Sequence, residues 1–193
     1  MPKFSKTEKE NIRNRLHKEG ESLFVRHGIK KVTIEELAKS AGIASGSFYS
    51  FYDSKESLYL ALNINAQNRI FDQLKKDLLP PGQSSSKENS KKALKKMIIH
   101  FMNTPILSML DSDTWEQITR KVSPELLQEH LDQDTAIVDF FSQSGIKFRY
   151  PQKTTAKVFQ AISMFVQDTV KISLEQEVFD IMLTGILNQI LSD

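Results

Sequence analysis

The chain has 193 residues, with 26 Lys plus Arg against 24 Asp plus Glu, no Cys, and a formal net charge of +2 at pH 7. At 39% hydrophobic and 26% charged residues it reads as one ordinary globular domain or two small ones, with enough apolar side chains for a sizeable core. The missing cysteines exclude disulfides, thiolate metal sites, iron–sulfur clusters and a Cys nucleophile. The opening Met1-Pro2-Lys3-Phe4-Ser5-Lys6-Thr7-Glu8 lacks a signal-peptide core and no apolar run approaches bilayer length, so a soluble cytoplasmic protein is expected.

The small net charge is unevenly spread. Residues 1–60 hold 11 Lys plus Arg against 8 Asp plus Glu, and the remainder 15 against 16, so the positive surplus lies in the first third of the chain.

In chain order, Ser5-Lys6-Thr7-Glu8 and Thr7-Glu8-Lys9-Glu10 both have capping-box form. Ile12, Leu16, Gly20, Leu23 and Phe24 follow at helical spacing until Gly28, which predicts a first helix over roughly 7–27. Thr33 can cap a short second helix whose first turn carries Glu35 and Glu36 and whose apolar face is Ile34, Leu37 and Ala38. Ala41-Gly42-Ile43 breaks it, and Ala44 to Phe51 supplies another short helix with Phe48 and Phe51 one turn apart.

A long pattern through Leu58, Leu62, Ala66, Ile70, Leu74 and Leu78 predicts a helix from Asp53 or Ser54 to Leu79, stopped by the loop-like Pro80 to Ser86. Further helices are expected over about 87–103, in a broken piece from Pro105 to about 121, over about 124–143 behind the Ser123-Pro124-Glu125 start signal, over 152–171 and over about 175–191. No strand pattern is evident. The expected fold class is all-α: a three-helix N-terminal unit followed by a helical bundle, about nine helices in all, with a boundary between residues 52 and 53.

The two short helices carry the informative motif. Ala38 is small where the helices cross, Gly42 can take the positive φ the turn needs, and Leu37, Ile43, Phe48 and Phe51 fix the pair to each other and to the first helix. This is the spacing of a DNA-binding helix-turn-helix, though a Gly-containing helical hairpin also occurs in ordinary bundles. The second helix decides between them. Ala44, Ser45, Gly46, Ser47, Tyr49 and Ser50 are small or hydroxyl-bearing, which suits close approach to a duplex, where a functionless solvated face would usually be rich in Glu and Lys.

Residues 16–62 resemble the DNA-binding region of TetR-type transcriptional regulators. The matching segments are Leu23-Phe24 with Gly28, Val32 to Ala38, Ala41-Gly42-Ile43, Gly46-Ser47-Phe48-Tyr49, and Phe51-Tyr52-Asp53-Ser54-Lys55-Glu56-Ser57-Leu58. The resemblance implies phosphate contacts by Thr33, Tyr49 and Lys55, groove-facing positions at Ser45, Gly46, Ser47 and Ser50 with base readout at Ser45 and Ser47, and screened attraction from Lys30 and Lys31. Three departures stand out: Ala44 replaces the usual Ser or Thr helix cap, Ser50 replaces a frequent His or Tyr, and Gly20 replaces a common Ala.

Beyond about residue 65 the resemblance rests on length and helical pattern. It implies an apolar effector pocket, for which Phe101, Trp115 and Phe141 are the candidates, and a dimer interface formed by the last two helices. Their apolar stripes look wide for one partner each, with Ala161, Phe165, Ile181, Gly185 and Asn188 as interface candidates. Composition alone supports only a core.

No metal, cofactor or catalytic role is expected. His17, His27, His100 and His130 are scattered, the possible cluster of Asp111, Asp113, Glu129 and His130 is a weak metal signal, and no GxSxG elbow, phosphate loop or dinucleotide fingerprint occurs. The expectation is a homodimeric repressor released from a pseudo-palindromic double-stranded operator by a small apolar or amphipathic effector. The alternative is a DNA-bound architectural or partner-recruiting protein on the same fold, without an effector.

Overall fold

A computed structural model describes residues 4–77, 86–171 and 175–192, with the side chains of 75–77 and 166–171 excepted. Among these residues the chain forms nine helices and no strand: α1 (Lys6–His27), α2 (Ile34–Ser40), α3 (Ser45–Phe48), α4 (Lys55–Asp77), α5 (Lys87–Met102), α6 (Ser112–Thr119), α7 (Pro124–Gln143), α8 (Gln152–Lys171) and α9 (Gln176–Ile190). The all-α expectation holds.

Local signals set most of these boundaries. Ser5 and Glu8 close a capping box on α1, Thr33 and Glu36 close another on α2, and the Ser123 hydroxyl accepts the Leu126 N–H at the start of α7. Gly28 ends α1 at φ 79° and Gly42 turns the chain between α2 and α3 at φ 71°, a conformation an L side chain rarely adopts.

The α3 helix is shorter than its pattern suggests. Ala44 is its N-cap and makes no side-chain cap hydrogen bond, and Ser45 opens the helix without replacing that cap. Beyond Phe48 the chain continues in turns, with the Ser50 and Phe51 N–H groups donating to the Ser47 and Phe48 carbonyls three residues back. The proposed loop from Pro80 to Ser86 lies outside the described residues except for Ser86, whose hydroxyl caps α5. The piece from Pro105 resolves into turns followed by α6, capped by Asp111. After Gly145, Phe148 forms an isolated antiparallel bridge with Leu191, which ties the chain's end to the loop before α8.

Helix α4 organises the molecule. It packs on α1 and also on α5, α6 and α7, so one rigid helix is shared by the N-terminal unit and the bundle. Burial follows that arrangement: Leu16, Phe24, Leu37 and Phe48 from α1–α3 meet Leu58, Tyr59 and Leu62 of α4 in a core that continues through Leu94, Phe141 and Leu187. Gly20 permits the closest approach, since a Cβ there would stand 3.2 Å from Leu58 Cδ2 and 3.5 Å from Leu37 Cδ2. The expectation that the close approach survives at this position is met.

No helix among the described residues is long and apolar enough to cross a membrane.

Candidate nucleic-acid interface and buried cavity

The α2–turn–α3 unit presents Thr33, Gly42, Ala44, Ser45, Gly46, Tyr49 and Ser50 to solvent, with Tyr49 56% exposed. Lys30, Lys31 and Lys39 flank this surface and are exposed as well. Most of the face is therefore small and uncharged, with positive charge at its border.

Three positions behave differently from the simplest reading. Ser47 precedes the fully buried Phe48 on α3 and is 9% exposed, the least accessible of the four groove-facing candidates. Thr33 already uses its hydroxyl: Oγ1 accepts the Glu36 N–H at 3.2 Å and donates to Glu36 Oε2 at 2.9 Å, while the Thr33 N–H donates to the same carboxylate at 2.8 Å. Its backbone N–H bond holds the Glu36 carboxyl below the usual range, with the hydroxyl bond adding to it. Lys55 is half-buried and its Nζ donates to the Val32 carbonyl at 2.6 Å and the Lys30 carbonyl at 3.2 Å. The first residue of α4 thus clamps the α1–α2 loop, leaving one of three N–H donors for any other partner.

A polar chain reinforces the same junction. His17 Nε2 pairs with the Tyr52 hydroxyl, and Asn65 Nδ2 lies 3.2 Å from His17 Nδ1. This joins α1, the turn after α3 and α4. Burial, with Arg13 nearby, depresses the imidazole's pKa.

A cavity of about 60 Å³ lies inside the bundle, between α4, α5, α6, α7 and α8. Phe101 and Trp115 line it, together with Met97, Leu110, Phe159 and Met164. Phe141 does not: it is fully buried in the core beside Phe140, and the pocket assignment for it is corrected.

Sequence reasoning missed the polar lining. Asn63 and Gln67 reach the cavity from α4, and His130 and Asp134 from α7, each pair four residues apart and so on one helix face. Asn63, Gln67 and His130 are 0%, 6% and 3% exposed, and Asn63 Oδ1, Gln67 Oε1 and His130 Nδ1 have no hydrogen-bond partner. Leaving such atoms unpaired costs about 1–3 kcal/mol each. Burial pushes the His130 imidazole down to about 4 and the Asp134 carboxyl up to about 7. The available signal was two polar residues at i and i+4 inside the buried stripe Tyr59, Asn63, Gln67, Phe71. Asp111, Asp113 and Glu129 do not join His130, and no group of three metal-ligating side chains forms among the described residues.

The interface candidates Ala161, Phe165, Ile181, Gly185 and Asn188 are all exposed. Helix α9 buries Phe179, Leu183, Leu187 and Ile190 and leaves Val178, Ile181 and Met182 to solvent, with Ile181 65% exposed. The helix is apolar on two faces, only one of which is covered.

The model for bacterial regulatory proteins of the tetR family matches residues 17–62. The HTH-type transcriptional repressor KstR2 of Rhodococcus jostii is 46% identical over 37 residues, which cover 19% of this chain and 18% of that protein. Among solved structures, RolR in complex with resorcinol matches with a TM-score of 0.62 and 15% identity over 98% of this chain and 92% of its own. Reduced Escherichia coli NemR matches with a TM-score of 0.61 and 20% identity over 94% of this chain and 99% of its own. Bacillus subtilis FadR with stearoyl-CoA matches with a TM-score of 0.55 and 15% identity over 93% and 97% of the two chains. The structural matches show a shared fold, and the N-terminal match covers the helix-turn-helix. Residues 17–62 thus match the tetR-family regulatory domain, and the chain shares the fold of these solved structures.

Proposed function

We propose that the protein is a sequence-specific DNA-binding repressor whose hold on a pseudo-palindromic operator is released by a small molecule in the bundle cavity. In this reading residues 1–52 bind DNA, and residues 53–193 bind the effector and form the dimer. The exposed Ser45, Gly46, Tyr49 and Ser50 would approach the major groove, while Thr33, Lys55, Lys30 and Lys31 would hold or attract the phosphate backbone. Two copies would place their α3 helices about 34–36 Å apart, one turn of duplex. The uncovered face of α9 with Ile181, Gly185 and Asn188, and Ala161 and Phe165 of α8, would meet the same surface of a second copy.

One observation carries the coupling between ligand and DNA. Lys55 opens α4 and clamps the α1–α2 loop, and eight residues later, about 12 Å along the same helix, Asn63 enters the cavity. A cavity of about 60 Å³ is well below the roughly 300–1,000 Å³ of common ligand pockets. A ligand must therefore displace the surrounding helices, and movement of α4 is passed directly to the DNA-facing unit. Ligand and operator then favour different arrangements of the same helix, which is the differential affinity that release needs.

KstR2 is named as a repressor, and RolR and FadR were solved with resorcinol and stearoyl-CoA, which supports repression and an effector here. The enclosed cavity also favours this reading over a partner-recruiting protein with a filled core. Selection of bound fragments from random DNA tests it, followed by a screen of small molecules for release. Enrichment of an inverted repeat with half-sites one helical turn apart is expected. No enrichment over competitor DNA at physiological salt would overturn the proposal.

A further inference from the structure

We infer that the cavity selects a small single-ring ligand that donates hydrogen bonds and bears no negative charge, an aromatic amine or a phenol rather than a carboxylate. The inference rests on the reading of this cavity as the effector site and adds the chemistry of its occupant.

Two of the three buried lining atoms that have no hydrogen-bond partner are amide oxygens, which only accept. Asn63 Nδ2 donates to the Tyr59 carbonyl at 2.9 Å, which fixes the orientation of the amide and points the unpaired Oδ1 away from that bond. Gln67 Oε1 lies one turn along the same helix face, also buried and unpaired. Across from them on α7, His130 Nδ1 is also unpaired and serves as acceptor or donor according to the ring's tautomer, and Asp134 has neither a hydrogen-bond nor an ion-pair partner among the described residues. Three buried side chains from two helices thus aim unpaired atoms at one space, beside a carboxyl group. A donor ligand satisfies the two amide oxygens, whereas a ligand with acceptors alone leaves both unpaired.

Charge points the same way. Among the described residues no Lys or Arg lines the cavity, so a bound carboxylate would face Asp134 without a counter-charge there. Lys153 and Lys157 sit in an outer groove between α7 and α8, with Asp132 on its opposite wall. Asp134 and Gln160 line both spaces. The lysines stop at the groove.

The apolar walls set the ligand's body. Trp115 stands against the His130 ring at 5.3 Å between centroids, and Phe101 faces the same space, offering aromatic surfaces to a ring or an ammonium group. The closed volume holds only a few waters, and the unbranched Met97 and Met164 are the lining side chains best able to yield to a single ring.

Calorimetric titration of the full chain at pH 8 with benzylamine, phenol, benzoate and toluene tests the inference. Benzylamine or phenol should bind at least tenfold more tightly than benzoate and toluene. Asp134→Asn should remove the advantage of benzylamine while sparing phenol, and Asn63→Leu should weaken phenol about tenfold. Gln67→Leu provides a second probe of the α4 acceptors should Asn63→Leu fail to fold. Benzoate or toluene binding as tightly as the donors, or none of the four binding, would overturn the inference. Operator selection on the same preparation separates the two readings. Enrichment alongside a benzoate preference refutes the ligand class alone, and absent enrichment alongside donor-selective binding refutes only the DNA-binding reading.

Discussion

Glu56 and Lys121 lie 65 residues apart and meet at 3.0 Å, the lysine Nζ donating to the carboxylate Oε1 that also accepts from Gln117 at 2.8 Å. Glu56 is 2% exposed. Burial pushes its carboxyl up, but the bonds from Lys121 and Gln117 outweigh that effect and hold it below the usual range. Through Gln117 and Lys121 the carboxylate ties α6 and the turn after it to the first turn of α4, directly beside the Lys55 clamp. Trp115, which lines the cavity, is two residues before Gln117 on α6. A ligand that shifts Trp115 therefore pulls on the start of α4 as well as on its middle.

Lys121→Met should lower stability by about 1–2 kcal/mol, less than loss of a fully buried pair, because the lysine is 52% exposed and Gln117 still serves the carboxylate. Operator affinity without ligand should change little, while the fold-weakening produced by a saturating effector should shrink. Chemical denaturation and a DNA titration with and without effector check the two parts.

Lys55→Met removes two bonds to the Lys30 and Val32 carbonyls. Since the lysine holds the loop leading to α2, the whole recognition unit loses its anchor, and binding should weaken about equally for every operator variant. A changed order of preferred half-sites would show that Lys55 reads bases.

Ser45→Ala and Ser47→Ala should differ. Ser45 is exposed at the first turn of α3, and its loss should alter half-site preference by about 1 kcal/mol or more at one position. Ser47 is buried, so its substitution should leave the preference unchanged. Binding-site selection with each variant distinguishes them.

Most of the fold was legible because the signals were local: capping pairs at Ser5/Glu8 and Thr33/Glu36, glycines at turns, and periodic apolar stripes. The low exposure of Ser47 was not legible, because a four-residue helix has too little pattern to rank the burial of Ser45 and Ser47. The α9 candidates Ile181, Gly185 and Asn188 lie on the exposed side of the helix, while Phe179, Leu183 and Leu187 make a second, buried apolar face; periodicity cannot rank two apolar faces. The acceptors of the cavity were hidden for a different reason. Asn63 and His130 are more than sixty residues apart, and only the packing of α4 against α7 makes them one site.

Gly20 tests how tightly α1 and α4 are set. Gly20→Ala gains up to about 1 kcal/mol of helix propensity, but its Cβ would lie 3.2 Å from Leu58 Cδ2, so the net change should be within about 1 kcal/mol. Gly20→Val adds two methyl groups to the same contact and should cost about 1–3 kcal/mol. Thermal melts of both variants check the contrast.

His130 and Asp134 should give opposite pH signatures that hide one another. Burial drops the imidazole from its ordinary 6.5 to about 4, so between those values the unfolded chain binds a proton the folded chain does not, and His130 makes the protein less stable as pH falls. Burial raises the carboxyl from 3.8 to about 7, so across nearly the same window the folded chain holds a proton the unfolded chain lacks, and Asp134 makes it more stable as pH falls. The two slopes have opposite sign and largely cancel in the native protein. Asp134→Asn leaves the histidine alone, and this variant should lose about 2 kcal/mol more than the native protein between pH 6.5 and 4.5, roughly 4–8 °C in melting temperature for a chain of this size. His130→Phe leaves the carboxyl alone and should instead gain stability relative to the native protein on acidification through the same range. Melting curves at half-unit pH steps, with the double variant as reference, decide the matter: parallel curves for all four proteins would show that neither group is held away from its ordinary protonation range.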